Sequence, residues 1–192
     1  MSKTGQGFRT RLSHVGRAGK RVHGFVNPPL LRGSTVLYPT MAERHALAAR
    51  RSEQVLTYGL GGSQTHWALE DAIAEIEGGT RSQIVGSGLA AVTVALLAFL
   101  TAGEHCLVPD SVYGPTRHFA ERTLPRFGIE ATFYDPEVDA DGIGGLFRSN
   151  TTVLYVESPG SHTFEVQDVP ALARVAHARG AKVLMDNTWG IH

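Results

Sequence analysis

The sequence predicts an α/β fold in which a mainly parallel sheet is flanked by helices. From about residue 82 onward, short apolar runs alternate with amphipathic stretches, and the apolar runs are nearly continuous rather than alternating in polarity. Strands of that kind are buried on both faces, so helices are expected on both sides of the sheet. The predicted strands are 82–85, 106–109, 131–134, 153–157 and 182–186. Helices are predicted between them at 88–100, 115–127 and 169–179, with a weaker pattern at 139–150.

The sequence is expected to divide into an N-terminal arm with a helix, residues 1–62, and a large domain that carries the sheet, residues 63–192. Residues 1–39 are rich in Arg, Gly and Pro without a sustained period, which predicts an extended arm. Thr40 and Glu43 have capping-box spacing for a helix that reaches about residue 54. A second helix is predicted from about 65 to 77, where two glycines follow it.

The composition excludes several function classes. Lysine plus arginine and aspartate plus glutamate both number 18, so no basic field is present to attract nucleic acid. No apolar run approaches the ~20 residues that cross a bilayer, and the first residues lack the apolar segment of a secretion signal. The nine histidines show no metal-ligand spacing beside a carboxylate, and the single cysteine, Cys106, is interpreted as structural. We therefore expect a cytoplasmic protein with no metal, nucleic-acid or membrane partner.

A glycine-rich turn, Gly86-Ser-Gly-Leu-Ala-Ala91, precedes the first long helix of the large domain. Glycines let backbone amides approach an anion, and a helix amino terminus adds free N–H groups, so the turn could hold the phosphate of a cofactor. It also fits the dinucleotide pattern G-x-G-x-x-A, with Asp110 near the position expected for a ribose-binding acid. A tight turn without a ligand is the third interpretation, and the turn alone does not separate the three.

Seven short motifs occur along the chain in a fixed order. They are Tyr58-Gly59, Ser63–Glu70, Ile76–Gly79, Gly86–Ala91, Val112–Thr116, Glu157–Gly160 and Met185–Trp189. In sequence and order they resemble motifs of the Cys/Met-metabolism family of pyridoxal-phosphate (PLP) enzymes, and the resemblance extends from about His14 to the last residues. It implies PLP as cofactor, a small-molecule amino-acid substrate, a homo-oligomer that is a tetramer in the family, and a PLP-dependent transferase-like large domain.

The resemblance assigns roles to two residues near the ends of strands. Asp186, which closes an apolar strand, matches the aspartate that pairs with the pyridine nitrogen and keeps it protonated. Tyr113 matches the tyrosine that stacks on the cofactor ring. Without the resemblance, Asp186 would be interpreted as a turn residue and Tyr113 as an aromatic that packs on the sheet.

The remaining expected cofactor-binding residues surround the phosphate. By resemblance, Ser87, Gly88 and Leu89 hold the phosphate through backbone amides and a hydroxyl, and Thr188 is a weaker contributor. Tyr58 resembles the residue that reaches the phosphate of a neighbouring subunit.

The sequence departs from the family pattern at two places. Leu60 stands where the family usually has an arginine, and Gly61 where β-lyases often have a second one, so charge-assisted phosphate contacts are missing. The Schiff-base lysine is absent as well: the lysines are Lys3, Lys20 and Lys182, and none follows the Asp-Asn-Thr-Trp motif. No catalytic residue is therefore assigned, and we expect an inactive N-terminal fragment without the small C-terminal domain.

The implied activity is carbon–sulfur bond cleavage. The segment Glu157–Asp168 resembles the cystathionine β-lyase version of the family, since relatives commonly carry Asn-Pro after Glu-Ser-Pro. That activity converts cystathionine to homocysteine, pyruvate and ammonia in methionine biosynthesis. The alternatives are γ-synthase or γ-lyase chemistry on the same scaffold, a non-catalytic remnant, and a nicotinamide-binding domain.

Overall fold

A computed structural model describes residues 7–17, 25–50 and 53–190. It contains two compact units, residues 1–84 and residues 85–192, here called the N-terminal unit and the sheet unit. The division predicted at residue 62 stays a prediction about the domains of a longer protein. Within the described ranges, no helix is long and apolar enough to span a membrane.

The N-terminal unit is helical. Its elements are α1 (Phe8–His14), α2 (Met41–Ala48), a 3₁₀ turn (Gly59–Gly61) and α3 (Gln64–Ile76). The Thr40 side chain accepts a hydrogen bond from the Glu43 amide at 3.2 Å, as the capping pattern predicts, but α2 ends well before residue 54. Residues 25–39 of the arm form no helix or strand, whereas α1 departs from the predicted arm; residues 1–6 and 18–24 lie outside the described residues.

The strand predicted at 82–85 is wrong, because this segment bonds to α3 instead of to another strand. The buried Glu70 carboxylate accepts from the Ile84 amide and from the Gln83 side chain, both at 3.1 Å. The Ser82 hydroxyl also donates to the Glu70 carbonyl, at 2.7 Å. An apolar run without a partner strand has no ladder to join, so it stays irregular.

The sheet unit confirms the α/β class with a parallel sheet. Its strands are β1 (His105–Pro109), β2 (Glu130–Tyr134), β3 (Thr151–Glu157) and β4 (Lys182–Asp186), in the spatial order β2-β1-β3-β4. All three pairings are parallel. In the β3–β4 pair, Tyr155 faces Leu184 and Glu157 faces Asp186. The carboxyl ends of all four strands therefore lie along one edge.

The helices of the sheet unit are α4 (Gly88–Phe99), α5 (Gly114–His118), α6 (Ala140–Leu146) and α7 (Val169–Ala178). The helix predicted over 115–127 is helical throughout but changes form, since α5 passes into a π turn (Phe119–Thr123) and a 3₁₀ turn (Leu124–Phe127). Pro125 has no amide hydrogen to donate to the preceding turn, which accounts for the interruption. The weak pattern at 139–150 does form α6, because the Asp139 side chain caps the Gly142 amide at 2.7 Å.

Two hydrophobic cores cover the two faces of the sheet. The first includes Val92 and Leu96 of α4 and Leu124 beyond α5. The second includes Ile143 of α6 and Leu172 of α7. The strand order accounts for this split: the chain moves one way from β1 to β2 and the other way from β2 to β3 and β4, and crossovers that follow the right-handed rule then place their helices on opposite faces. The carboxyl ends of β1 and β3 thus flank a topological switch point, where open α/β sheets bind ligands.

Side chains tie three strands together at the amino edge of the sheet. The fully buried His105 bonds through Nδ1 to the Thr151 hydroxyl at 2.7 Å and through Nε2 to the Thr132 hydroxyl at 2.8 Å. Arg148 bonds to the same two hydroxyls, with its amide to Thr151 and its guanidinium to Thr132, and it pairs with Glu130 at 2.6 Å. This cluster connects the amino-terminal parts of β1, β2 and β3.

Candidate cofactor site

The amino terminus of α4 lies at the same edge of the sheet as Asp186. A short turn joins the end of α4 to His105 at the amino edge, so the start of α4 lies toward the carboxyl edge. α4 also packs on the face of β4, since Leu184 contacts the core that contains Val92 and Leu96. A helix start and a strand-end carboxylate therefore face the same crevice.

The start of α4 has the geometry of an anion site. The Ser87 hydroxyl accepts from the Ala90 amide at 3.1 Å, and the first intrahelical bond runs from the Ala91 amide to the Ser87 carbonyl at 3.0 Å. The amides of Gly88 and Leu89 precede that bond and have no intrahelical acceptor. A Cβ placed on Gly88 would meet no atom within 4 Å, so the space beside Gly88 is open. These features fit a phosphate group.

Asp186 is held by the turn that follows β4. Its Oδ1 accepts from the Thr188 amide at 3.0 Å and from the Thr188 hydroxyl at 2.6 Å. Both donors converge on Oδ1, so Oδ2 can accept from a further donor such as a protonated ring nitrogen. Because the Thr188 hydroxyl bonds to Asp186 here, its geometry supports orientation of the carboxylate, and its phosphate contact stays a prediction.

Glu157 connects the two sides of the switch point. It is 5% exposed, and its Oε2 accepts from the Tyr113 amide at 2.9 Å, while its own amide donates to the Gln167 side chain at 3.3 Å. Burial raises the pKa of Glu157, the Tyr113 amide opposes that rise, and the neighbouring Asp186 adds to it. The contact fixes the backbone of Tyr113, whose side chain remains 44% exposed and so has a ring face available for stacking.

The sequence motifs assign Glu157 no role of its own. The available signal was the one used for Asp186, namely an acidic residue that closes a nearly continuous apolar strand. The in-register pairing of Glu157 with Asp186 depends on the strand order, which the sequence does not state.

The structure does not support the alternative of a nicotinamide-binding domain. The carboxylate of Asp110 is paired with Arg117, which also donates to the Asp110 carbonyl at 2.8 Å. The dinucleotide pattern requires a strand immediately before its glycines, and no strand precedes Gly86 among the described residues.

The loop after β3 packs tightly on the turn after β1. The Ser161 amide donates to the Ser111 carbonyl at 2.8 Å, and a Cβ on Gly160 would lie 2.5 Å from the Ser111 Oγ. Only glycine therefore fits at residue 160 without displacing Ser111.

Tyr58 lies in the N-terminal unit, where it begins the 3₁₀ turn and is 46% exposed. Leu60, inside that turn, is 82% exposed and brings no charge. The contact of Tyr58 with a neighbouring subunit stays a prediction.

The described residues bring no lysine to the crevice. Lys182 begins β4 at the amino edge, and four residue steps of ~3.3 Å place it about 13 Å from Asp186 along the strand. Lys3 and Lys20 lie outside the described residues.

Comparison with known proteins identifies the family of the chain. Residues 9–191 match the family model of the Cys/Met metabolism PLP-dependent enzymes. The chain is 51% identical over 95% of its length to a putative cystathionine β-lyase of Rhizobium johnstonii, and 34% identical over 94% to the cystathionine β-lyase MetC of Escherichia coli. It is also 38% identical over 93% of its length to an L-alanine/L-glutamate racemase of Wolbachia pipientis.

Among solved structures, the crystal structure of metB from Corynebacterium glutamicum matches 97% of the chain with a TM-score of 0.84 and 24% identity, which shows the fold. The chain spans about half the length of the relatives it matches: 45% of the Rhizobium protein, 46% of the other two and 46% of metB. With the motifs, the sheet and the family model in agreement over nearly the whole chain, the protein belongs to the Cys/Met metabolism family of PLP-dependent enzymes.

Proposed function

We propose that this chain forms the PLP-holding part of a carbon–sulfur lyase that splits cystathionine into homocysteine, pyruvate and ammonia. The observation that carries the proposal is the placement of Asp186 and the start of α4 at one edge of the sheet, around the switch point. The names of the Rhizobium and Escherichia relatives support cystathionine as substrate.

Each site residue has a physical task in this proposal. Bound PLP supplies the electron sink that stabilises negative charge at the substrate Cα. The carboxylate of Asp186 holds the proton on the ring nitrogen, which increases the electron-withdrawing power of the ring. The amides of Gly88 and Leu89 and the hydroxyl of Ser87 bind the phosphate at the positive end of the α4 dipole.

Tyr113 covers one face of the ring and excludes water from it. Glu157 keeps Tyr113 in place through the 2.9 Å bond to its amide. Proton transfer at Cα needs a lysine that none of the described residues supplies, so the 192 residues alone are expected to bind the cofactor without turning over cystathionine.

Three further features are part of the proposal and follow from the family resemblance. They are a homotetrameric assembly in which Tyr58 contacts the phosphate of a neighbouring subunit, a cytoplasmic location, and a place in methionine biosynthesis.

Cofactor binding is tested by equilibrium dialysis of the 192-residue chain against PLP. We expect saturable binding that Asp186→Asn weakens about tenfold or more, because the substituted amide no longer supplies the charge that pairs with the ring nitrogen. Asp141→Asn is the matched control, since Asp141 is an exposed carboxylate on α6. Equal affinity in all three proteins would contradict the site.

The substrate is tested by supplying the carboxyl-terminal half of the Rhizobium relative, where the family resemblance implies the Schiff-base lysine, as a separate chain together with PLP and cystathionine. Pyruvate is the expected product, and 2-oxobutyrate would instead identify γ-cleavage. Formation of D-alanine from L-alanine, without either keto acid, would favour the racemase activity named for the Wolbachia relative.

A further inference from the structure

Two buried hydroxyl groups near the crevice lack a hydrogen-bond partner. Tyr155 is 2% exposed and Thr116 is fully buried, and neither hydroxyl meets a partner at standard hydrogen-bond geometry within the described residues. Buried polar groups are nearly always paired, so such a pair close to a functional carboxylate requires an explanation.

Sheet register places Tyr155 beside Asp186. Tyr155 pairs with Leu184, and Glu157, two residues later on the same face, pairs with Asp186. Tyr155 and Asp186 are therefore diagonal neighbours on one face, a separation that a tyrosine side chain can span. This is the face covered by α4, because Tyr155 belongs to the same core as Val92.

Thr116 reaches the same region from α5. It sits in the short helix that starts after Tyr113, and it is fully buried. The side chains of Thr116 and Asp186 therefore both lie near the Tyr155 phenol.

The pKa of Tyr155 indicates which groups lie beside its hydroxyl. Burial is the main cause of the raised pKa of Tyr155, and the charges of Asp186 and Glu157 raise it further. The Asp186 side chain lies close enough to the phenol to favour its neutral form, which is the form that can donate a proton to a carboxylate. The Thr116 hydroxyl acts in the opposite direction and lowers the pKa of Tyr155, which fits a hydroxyl that lies beside the phenol oxygen.

We propose that Thr116, Tyr155 and Asp186 form a hydrogen-bond chain in which Thr116 donates to Tyr155 and Tyr155 donates to Asp186, so that both hydroxyls act as positioning residues for the ring-nitrogen contact. Thr188 already fixes Oδ1 of Asp186 with two donors. A third donor from the buried side stops rotation of the carboxylate and presents it to the cofactor in one orientation. The functional half of this inference rests on the proposed function, whereas the hydrogen-bond chain belongs to the protein without cofactor.

The first test measures the hydrogen bond without cofactor. Wild type, Tyr155→Phe, Asp186→Asn and the double variant of the 192-residue chain are unfolded with urea in a double-mutant cycle. We expect the effects on the unfolding equilibrium constant to differ from additivity by about ten- to hundredfold, the size of one hydrogen bond to a charged group. Tyr155→Phe removes only the hydroxyl and leaves the packed ring in place.

The second test asks whether the bond acts on the ring nitrogen. The affinities of wild type and Tyr155→Phe are measured for PLP and for the analogue in which carbon replaces the ring nitrogen. We expect Tyr155→Phe to weaken PLP binding about three- to tenfold and to leave analogue binding unchanged. Thr116→Val is expected to change PLP binding in the same direction by a smaller factor.

Tyr134→Phe is the matched control. Tyr134 is equally buried, but its hydroxyl bonds to the Tyr155 carbonyl at 3.0 Å and to the Gln167 side chain at 3.1 Å, on the opposite face of the sheet. Its loss is expected to lower stability without changing the ratio of the two affinities.

The outcomes separate the two proposals. An additive cycle overturns the hydrogen-bond chain whether or not cofactor binds. Equal weakening of PLP and analogue binding by Tyr155→Phe overturns the positioning role, since it would indicate general damage. A wild-type chain that binds neither ligand overturns the proposed function and, with it, the positioning role, while a non-additive cycle would still establish the bond.

Discussion

The stability of the sheet unit should decrease between pH 6.5 and pH 5 because of His105. The folded protein lowers the pKa of this imidazole, chiefly through burial and additionally through the charge of Arg148, while Glu130 opposes the shift. In the unfolded chain the imidazole has its ordinary pKa of about 6.5. The unfolded state therefore binds more protons than the folded state as the pH falls below that value, and acidification favours unfolding.

The size of the effect follows from proton linkage. One proton bound only by the unfolded state changes the free energy of unfolding by at most about 1.4 kcal/mol for each pH unit. This loss begins near pH 6.5, increases as the pH falls, and levels off below the folded-state pKa. Above about pH 7.5 both states are neutral at this residue, and His105 adds no slope.

Urea unfolding of wild type and His105→Gln at half-unit steps from pH 8 to pH 5 measures this slope. The amide side chain of glutamine offers a donor and an acceptor to the two threonine hydroxyls but does not titrate. The difference in slope between the two proteins isolates His105 from groups such as Glu157, whose raised pKa gives a contribution of opposite sign. Parallel curves for the two proteins over this range would refute the reasoning.

Three further substitutions test the crevice and the core. Glu157→Ala should weaken PLP binding about tenfold in dialysis, since it leaves the Tyr113 amide without its 2.9 Å acceptor; unchanged affinity would contradict the positioning of Tyr113. Gly160→Ala should lower the free energy of unfolding by about 1–3 kcal/mol, because the new Cβ would approach the Ser111 Oγ to 2.5 Å; calorimetry with Gly145→Ala, where a Cβ meets nothing within 4 Å, supplies the comparison. Leu154→Ala should cost about 2–5 kcal/mol in urea unfolding, since this side chain is fully buried in the second core; a loss below 1 kcal/mol would mean that the core collapses around the cavity.

The sheet was predictable from the sequence because its strands carry their own signal. The runs that became β1 to β4 are apolar on both faces, and that pattern depends only on local composition. The run at 82–85 carried a similar signal, yet strand formation also requires a partner, and here the Glu70 side chain takes the Ile84 amide instead. Pairing is a non-local property that a four-residue pattern does not contain.

The candidate site was predictable in its parts and less so in its connections. Asp186 and the Gly86–Ala91 turn were identified from motifs, and the structure places them at one edge of the sheet. The strand order, and hence the neighbours Glu157 and Tyr155, follows from crossovers that the sequence does not specify. The Thr188 hydroxyl shows the same limit, because its bond to Asp186 depends on a turn conformation that follows the strand.

The His105 cluster has a consequence for how this scaffold tolerates change. The His105 hydrogen bonds hold β1, β2 and β3 together at their amino ends. The alignment of these strands therefore depends little on the side chains at their carboxyl ends. Substitutions around the crevice can therefore accumulate without shifting the strands past one another. A family member could acquire a new substrate through such substitutions while keeping the same backbone frame.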